Sequence, residues 1–249
     1  LGGASSWDDI ALFGETKQDW FASILALPHG IPSHDTFHRV YATLDPQQFE
    51  QAFRSWVQAV SGTLTPQLLA CDGKMLRGSQ DAFAGTTALH LVSVWARTAR
   101  MVLAQVAVAD KSKEMTALPE LLRQLDITGC LVTVDAMGCQ RAIAEQIVAQ
   151  GGQYVLALKE NQRELAEEVA DCFAAMETGA YEGVRHQHAE QISKGHGQLE
   201  VRQHSVITNP AYLAWLQAEH RWPGLAAIGR VVAERRRGEQ HTHEVRYYV

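Results

Sequence analysis

Apolar residues keep a helical spacing through the first part of this chain, gather into short unbroken runs in the middle, and alternate with polar residues towards the end. Trp7, Ile10, Ala11, Phe13, Trp20, Phe21, Ile24 and Leu25 predict a helix over 6–27, with Ser5 or Ser6 as N-cap. Pro28-His29-Gly30-Ile31-Pro32 ends it. Ser33 opens a second helix to about Leu44 through Phe37, Val40 and Tyr41, and Asp45-Pro46 starts a third with Phe49, Phe53, Trp56 and Val57 on one face. These helices form an N-terminal module over 1–62, and 61–66 separates it from the remainder of the chain.

The middle alternates strands with helices. A strand over 68–71 ends at Asp72, strands near 87–96 and 101–108 flank Arg97-Thr98-Ala99-Arg100 as a hairpin, and a helix covers about 115–125. A strand over 131–134 ends at Asp135, a helix runs from about Gln140 to Ala149, a strand fills 153–158, and a polar helix spans Asn161 to about Met176. Runs with no alternation read as strands buried on both faces. A right-handed crossover sets the strand before Asp135 parallel beside the first. That order is the one expected of an α/β, ribonuclease H-like core, here over 66–178. Short alternating segments at 184–192, 199–208, 225–235 and 241–249 read as a strand-rich insertion over 179–249. The reading leaves the core incomplete at its C-terminus and the last strand uncovered.

Composition narrows the classes. A chain of 249 residues with 46% hydrophobic content can bury a full core, and no apolar run approaches the roughly 18 residues of a membrane span. Leu1-Gly2-Gly3-Ala4 shows no basic-then-apolar targeting pattern. Cys71, Cys130, Cys139 and Cys172 form no Cys-x-x-Cys pair and read as reduced core thiols of a cytoplasmic protein. The net charge of −6 argues against a generic nucleic-acid coat, but it is uneven. Residues 1–182 hold 13 Lys/Arg against 22 Asp/Glu, a balance of −9, whereas 183–249 hold 9 against 6, a balance of +3. An acidic body with a basic, strand-rich tail suits a metal site that handles a polyanion.

Asp72 and Asp135 are the chief candidates for chemistry, since each ends an apolar strand run and stands one or three residues before a glycine. Ligands of open α/β sheets gather at such strand ends. Two aspartates on neighbouring strands would offer hard oxygens to Mg²⁺. Alternatively, each only caps the turn after its strand. Lys74, Arg77 and Lys159 lie just past strand ends and either face phosphates or are plain surface charge. Arg235-Arg236-Arg237 is a basic hairpin tip, read as a DNA contact or a solvated turn. Glu164 and Glu168 read as a solvated helix face. His34 and His38 have metal spacing but read as cap and core residues.

Five ordered blocks carry a resemblance: Ser33-His34-Asp35-Thr36-Phe37, Asp72-Gly73-Lys74-Met75-Leu76-Arg77-Gly78-Ser79, Asp135-Ala136-Met137-Gly138-Cys139-Gln140, Leu156-Ala157-Leu158-Lys159-Glu160-Asn161-Gln162 and His196-Gly197-Gln198-Leu199-Glu200-Val201-Arg202. In order and spacing the chain resembles the H-repeat-associated transposases, a branch of the DDE insertion-sequence transposases related to the IS-four group. The resemblance implies a ribonuclease H-like domain in which two aspartates and a glutamate hold two Mg²⁺ (or Mn²⁺) ions, with Asp72 and Asp135 as the aspartates. It implies cleavage and transfer of double-stranded DNA at transposon ends, with no membrane partner and a homodimer in a synaptic complex. The His-Trp-x-Ile-Glu stretch that supplies the glutamate in the family pattern is not found. Glu200 is then the in-chain stand-in as third acid, or, from its apolar-flanked strand context, a structural or DNA-facing residue; the family acid is expected past Val249, and the chain alone is expected to be inactive. Arg202, in the same block, joins Lys74, Arg77, Lys159, Arg235, Arg236 and Arg237 as a candidate DNA contact. The competing readings are a non-catalytic DNA-binding remnant and a different metal-dependent nuclease or phosphatase.

Overall fold

The computed structural model describes residues 4, 6–61, 67–76, 88–108, 113–178, 186–195, 197–238 and 240–249. The chain divides into two compact units, Leu1–Val60 and Ser61–Val249.

The first unit is helical: α1 (Trp7–Thr16), α2 (Gln18–Ala22), α3 (His34–Thr43) and most of α4 (Pro46–Ser61). Ser6 and Asp9 close a reciprocal capping box at the start of α1, each side chain accepting from the other's backbone N–H at 3.1 Å. The single helix expected over 6–27 is broken at Lys17. The Thr16 hydroxyl bonds back to the Leu12 carbonyl at 2.7 Å, and Gly14 lets Ile31 pack where a Cβ would stand, at 2.6 Å. Ser33 caps α3 and Asp45 caps α4, as the sequence indicates. Trp7, Tyr41 and Phe49 stack in series, at centroid distances of 5.1 and 6.0 Å. His34 leans on Asp8 and Asp35, and His38 on Trp7, which are cap and packing roles.

The second unit is built on one nine-stranded sheet. In chain order its elements are β1 (Leu68–Leu76), β2 (Leu89–Ala96), β3 (Met101–Val108), α5 (Glu114–Arg123), β4 (Leu131–Val134), α6 (Arg141–Ala149), β5 (Gln153–Leu158), α7 (Arg163–Glu177), β6 (His186–Gly195), β7 (Gln198–Ile207), α8 (Pro210–His220), β8 (Ile228–Arg237) and β9 (Gln240–Tyr248). The strands lie in the order β3-β2-β1-β4-β5-β9-β8-β7-β6. Among the described residues only β1–β4 and β4–β5 are parallel pairs. These three strands carry the unbroken apolar runs, as strands flanked by crossover helices should.

Side chains alternate between the two faces. Leu69, Cys71, Val132, Val134, Leu156 and Leu158 point to one face and are buried. On that face Leu118 of α5 lies near Val134, and Phe173 of α7 stacks against Tyr247 of β9 at 6.1 Å. Ala70, Leu131, Thr133, Val155 and Ala157, on the opposite face, are only half-buried. Leaving an aliphatic side chain in water forgoes about 1.5–3 kcal/mol relative to full burial, so the helix-covered face supplies most of the stabilisation.

Two expectations change. β9 is not an uncovered edge: it lies between β5 and β8, with Ala157 paired to Tyr248 and Gly229 paired to Tyr248 from the other side. It ties the strand-rich segment to the core strands as one sheet. The segment between β7 and β8, part of a stretch read as strand-rich, contains α8. Asn209 Oδ1 accepts from the N–H groups of Ala211 and Tyr212 at 3.1 and 3.2 Å, and Pro210 takes the first helical position. All four cysteines are free and buried. No helix among the described residues is long and apolar enough to cross a membrane.

Candidate functional site

β1 reaches to Leu76 rather than ending at Cys71, so Asp72 stands within a strand. Its position is still a mouth. The parallel pairing with β4 stops at Cys71↔Val134, beyond which β1 continues against β2 alone. Asp72 and Asp135 are therefore the next residues on adjacent parallel strands, level with each other, and both are exposed. Both line one small cleft with Gly73, Glu114, Val134 and Gly138.

The turn after Asp135 is held by its own residues and by the block directly after β5. Asp135 Oδ1 accepts from Gly138 N–H at 3.3 Å. Asn161 Nδ2 donates to the carbonyls of Ala136 and Cys139 at 2.9 and 3.2 Å, and Gln162 Nε2 donates to Cys139 at 3.1 Å. Asn161 and Gln162 thus fix the loop that presents Asp135, a positioning role that sequence reading missed. The signal was available: two amides directly after a strand adjacent to the one before Asp135.

Glu114 was also missed. It opens α5, where the helix dipole favours a carboxylate, and its carboxyl carbon sits 2.5 Å from where a Cβ on Gly73 would be. Glycine at 73 is what admits it. Across β2, His90 Nδ1 stands 3.8 Å from Glu114 Oε1, with both side chains largely buried. Beside them, burial pushes the Cys71 thiol up to about 12, so it stays protonated and offers no thiolate to a metal. Asp72 and Asp135 give two hard oxygen donors at one level, which suits Mg²⁺ or Mn²⁺. Among the described residues no group of three or more His, Cys, Asp or Glu side chains is arranged to hold a metal ion.

Glu200, the in-chain stand-in for a third acid, is not brought to the aspartates. It lies on β7, five strand steps from β1, or ~24 Å at ~4.8 Å per step. Its carboxylate is taken by Arg235 Nε at 2.6 Å and Arg202 Nη2 at 3.0 Å, which hold it below the ordinary glutamate range, the Arg235 bond foremost. Glu168 is bound to His220 at 2.7 Å, and Glu164 is exposed on α7.

Of the candidate cations, Lys74 is exposed on β1 two residues beyond Asp72 on the same face, and Lys159 is exposed just past β5. Arg77 lies outside the described residues. The three arginines at the end of β8 do not act as one tip. Arg235 faces the side of Glu200, whereas Arg236 pairs with Glu234 on the other face at 3.6 Å, and Arg237 is exposed next to the turn.

Known proteins share this sequence in both units. The family described as DDE_Tnp_1-associated matches residues 1–57, and the family described as Transposase DDE domain matches residues 63–234. The chain is 41% identical over its whole length to the protein of the dhlA 3′ region of Xanthobacter autotrophicus, spanning 82% of that protein. It is 36% identical over its whole length to the H repeat-associated putative transposase YhhI of Escherichia coli strain K12, spanning 66% of it. It is 37% identical to the H repeat-associated putative transposase YbfD of the same strain, with 84% of this chain and 82% of that protein covered. Among solved structures, the piggyBac transposase synaptic complex with hairpin DNA matches 80% of this chain and 45% of its own, at 12% identity and a TM-score of 0.36.

Proposed function

The chain belongs to the DDE transposase family, and we propose that it cuts and transfers strands of double-stranded DNA at insertion-sequence ends, with Asp72 and Asp135 as the metal-binding carboxylates. The observation that carries the assignment of residues is their placement. They come directly after the paired residues Cys71 and Val134 on adjacent parallel strands, where a metal between the two would see both carboxylates. The order β3-β2-β1-β4-β5, with β2 antiparallel, supports a ribonuclease H-like reading of this half of the sheet.

Bound divalent ions would supply charge neutralisation at the attacking and leaving oxygens of an in-line displacement at phosphorus. The chain's own residues do the rest. Asn161 and Gln162 hold the Asp135 loop in one geometry, so the carboxylate need not be ordered at the moment of reaction. Glu114, seated on Gly73 and faced by His90, buttresses the end of β1 from the helix-covered side. Lys74 and Lys159, both exposed, draw the phosphates of the DNA towards the mouth. Two copies in a synaptic complex would bring two transposon ends together.

A second reading is a DNA-binding remnant without turnover. It is favoured because, among the described residues, no group of three or more His, Cys, Asp or Glu side chains is arranged to hold a metal ion, although Glu114 lines the same cleft as the two aspartates. One assay separates the two: Mg²⁺- or Mn²⁺-dependent nicking of a duplex carrying insertion-sequence ends, run beside binding to the same duplex. Nicking that disappears in Asp72→Asn and in Asp135→Asn, with binding kept, supports the transposase reading. Nicking retained in either variant overturns the assignment of residues. Binding without nicking by the full-length protein supports the remnant.

A further inference from the structure

Resting on the reading that this chain handles DNA, we propose that one face of β7, β8 and β9, carrying Arg202, Arg235 and Arg246, is a docking surface for the phosphodiester backbone of a DNA duplex that runs on to Asp72. Five side chains on this face form an unbroken ladder. Arg202 Nη2 donates to Glu200 at 3.1 Å, and Glu200 accepts from Arg235 Nε at 2.6 Å. Arg235 Nη1 donates to Glu244 at 3.0 Å, and Glu244 accepts from Arg246 Nε at 2.7 Å. Three cations stand on two anions, leaving one positive charge over.

The two ends of the ladder, both arginines, are its most exposed members. The Glu200 side chain is 15% exposed, whereas those of Arg202 and Arg246 at the two ends are 43% and 53% exposed. Glu244, 37% exposed, and Arg235, 32% exposed, stand between these extremes. Arg235 spends Nε and Nη1 on carboxylates, Arg202 spends Nη2 and Arg246 spends Nε; the other guanidinium nitrogens have no carboxylate partner among the described residues. A guanidinium fork already fixed in place loses less entropy when it closes on a phosphate. These arginines rim a cleft of about 160 Å³ with His204 and Tyr248.

The register places this surface beside the aspartates. Cys71 pairs with Val134, Val134 with Leu156, and Ala157 with Tyr248. Tyr248 is therefore level with Asp72 and on its face, and Arg246, two residues away, is level with Lys74 on that face. Three strand steps separate β1 from β9, or ~14 Å, close to the ~12 Å between backbones across a major groove. A duplex seated on the arginines thus has its neighbouring strand within reach of the acidic mouth. The basic balance of 183–249 against the acidic balance of 1–182 orients it that way round.

The test is binding of a fluorescently labelled duplex of arbitrary sequence over a salt series, with thermal unfolding of each variant. Arg202→Gln and Arg246→Gln should each lower the slope of log K against log salt by about one unit. Arg202→Lys and Arg246→Lys keep the charge but not the fork, so they should keep the slope and bind more weakly. Glu244→Gln breaks two ion pairs yet should tighten binding, by roughly threefold, because it uncovers positive charge. An unchanged slope in folded Arg→Gln variants, looser binding in Glu244→Gln, or no duplex binding by the unsubstituted chain would overturn the surface. Cleavage that needs Asp72 and Asp135 but ignores the arginines would remove the surface and leave the transposase reading standing. Salt-dependent binding through the ladder without cleavage by the full-length protein would do the reverse.

Discussion

The two halves of the sheet use carboxylates in opposite ways. Around β1 and β4, aspartates stand exposed at the point where two parallel strands part, on a framework of buried aliphatic side chains. Around β7, β8 and β9, the glutamates are engaged by arginines at 2.6 to 3.1 Å. The first arrangement leaves negative charge available to a hard cation, and the second uses it to hold positive charge towards solvent. On the proposed reading, chemistry and grip are divided between regions that one strand, β9, joins into a single sheet.

The widest gap between the halves should be in catalysis. Asp72→Asn or Asp135→Asn should lower metal-dependent strand cleavage by roughly a thousandfold, while Glu200→Gln leaves the rate per bound complex within a few-fold. A single-turnover nicking assay at saturating protein checks both. Loss of cleavage in Glu200→Gln at saturation would erase the division of labour. Next in size is stability. Leu156→Ala, on the helix-covered face of β5, should cost about 2–5 kcal/mol by denaturant unfolding. Val155→Ala, its neighbour on the half-buried face, should cost about 1 kcal/mol. Equal losses would mean that both faces are packed alike.

How much of this could be read from residues alone tracks the same divide. The parallel strands and their order were legible because one face buried under helices and an opposite face still half-buried leave largely apolar runs at 68–71, 131–134 and 153–158. Asp72 and Asp135 stood out for the same reason, as charges at the ends of such runs. Glu114 did not: only the fold seats its helix on Gly73. The fate of Glu200 was equally hidden, because its partners Arg235 and Arg202 are set by β7–β8 register rather than by proximity in sequence. The α8 helix was legible in Asn209-Pro210, but its weak amphipathic pattern among strands masked it.

Arginine position should matter next. Arg235→Ala should reduce the salt dependence of duplex binding by about one unit of slope, and Arg236→Ala, on the opposite face, should leave it nearly unchanged. Equal effects would mean that the hairpin end acts as a basic tip irrespective of face. The smallest expected effect is on pH. Arg235 holds Glu200 below the ordinary glutamate value of 4.5, and Arg246 does the same for Glu244. A depressed carboxyl stabilises the fold above that ordinary value, and the contribution fades as pH falls through the lower folded value. Unfolding midpoints should therefore decline on acidification below about 4.5, and less steeply in Glu200→Gln. A matching decline in that variant would place the acid sensitivity elsewhere.

The interior position of β9 also sets an order on folding. Ala157 must wait for Tyr248, about ninety residues later, before β5 gains its second neighbour. Closing a loop of that length costs roughly 4 kcal/mol in the logarithmic chain-length term alone, so this pairing forms late unless the intervening segment shortens the loop. The β6–β7 and β8–β9 hairpins do so, each closing locally before the long-range contact. During synthesis the core strands emerge first and wait with one side of β5 open. Of the nine strands, the last to leave the ribosome is the one that joins the two halves of the sheet.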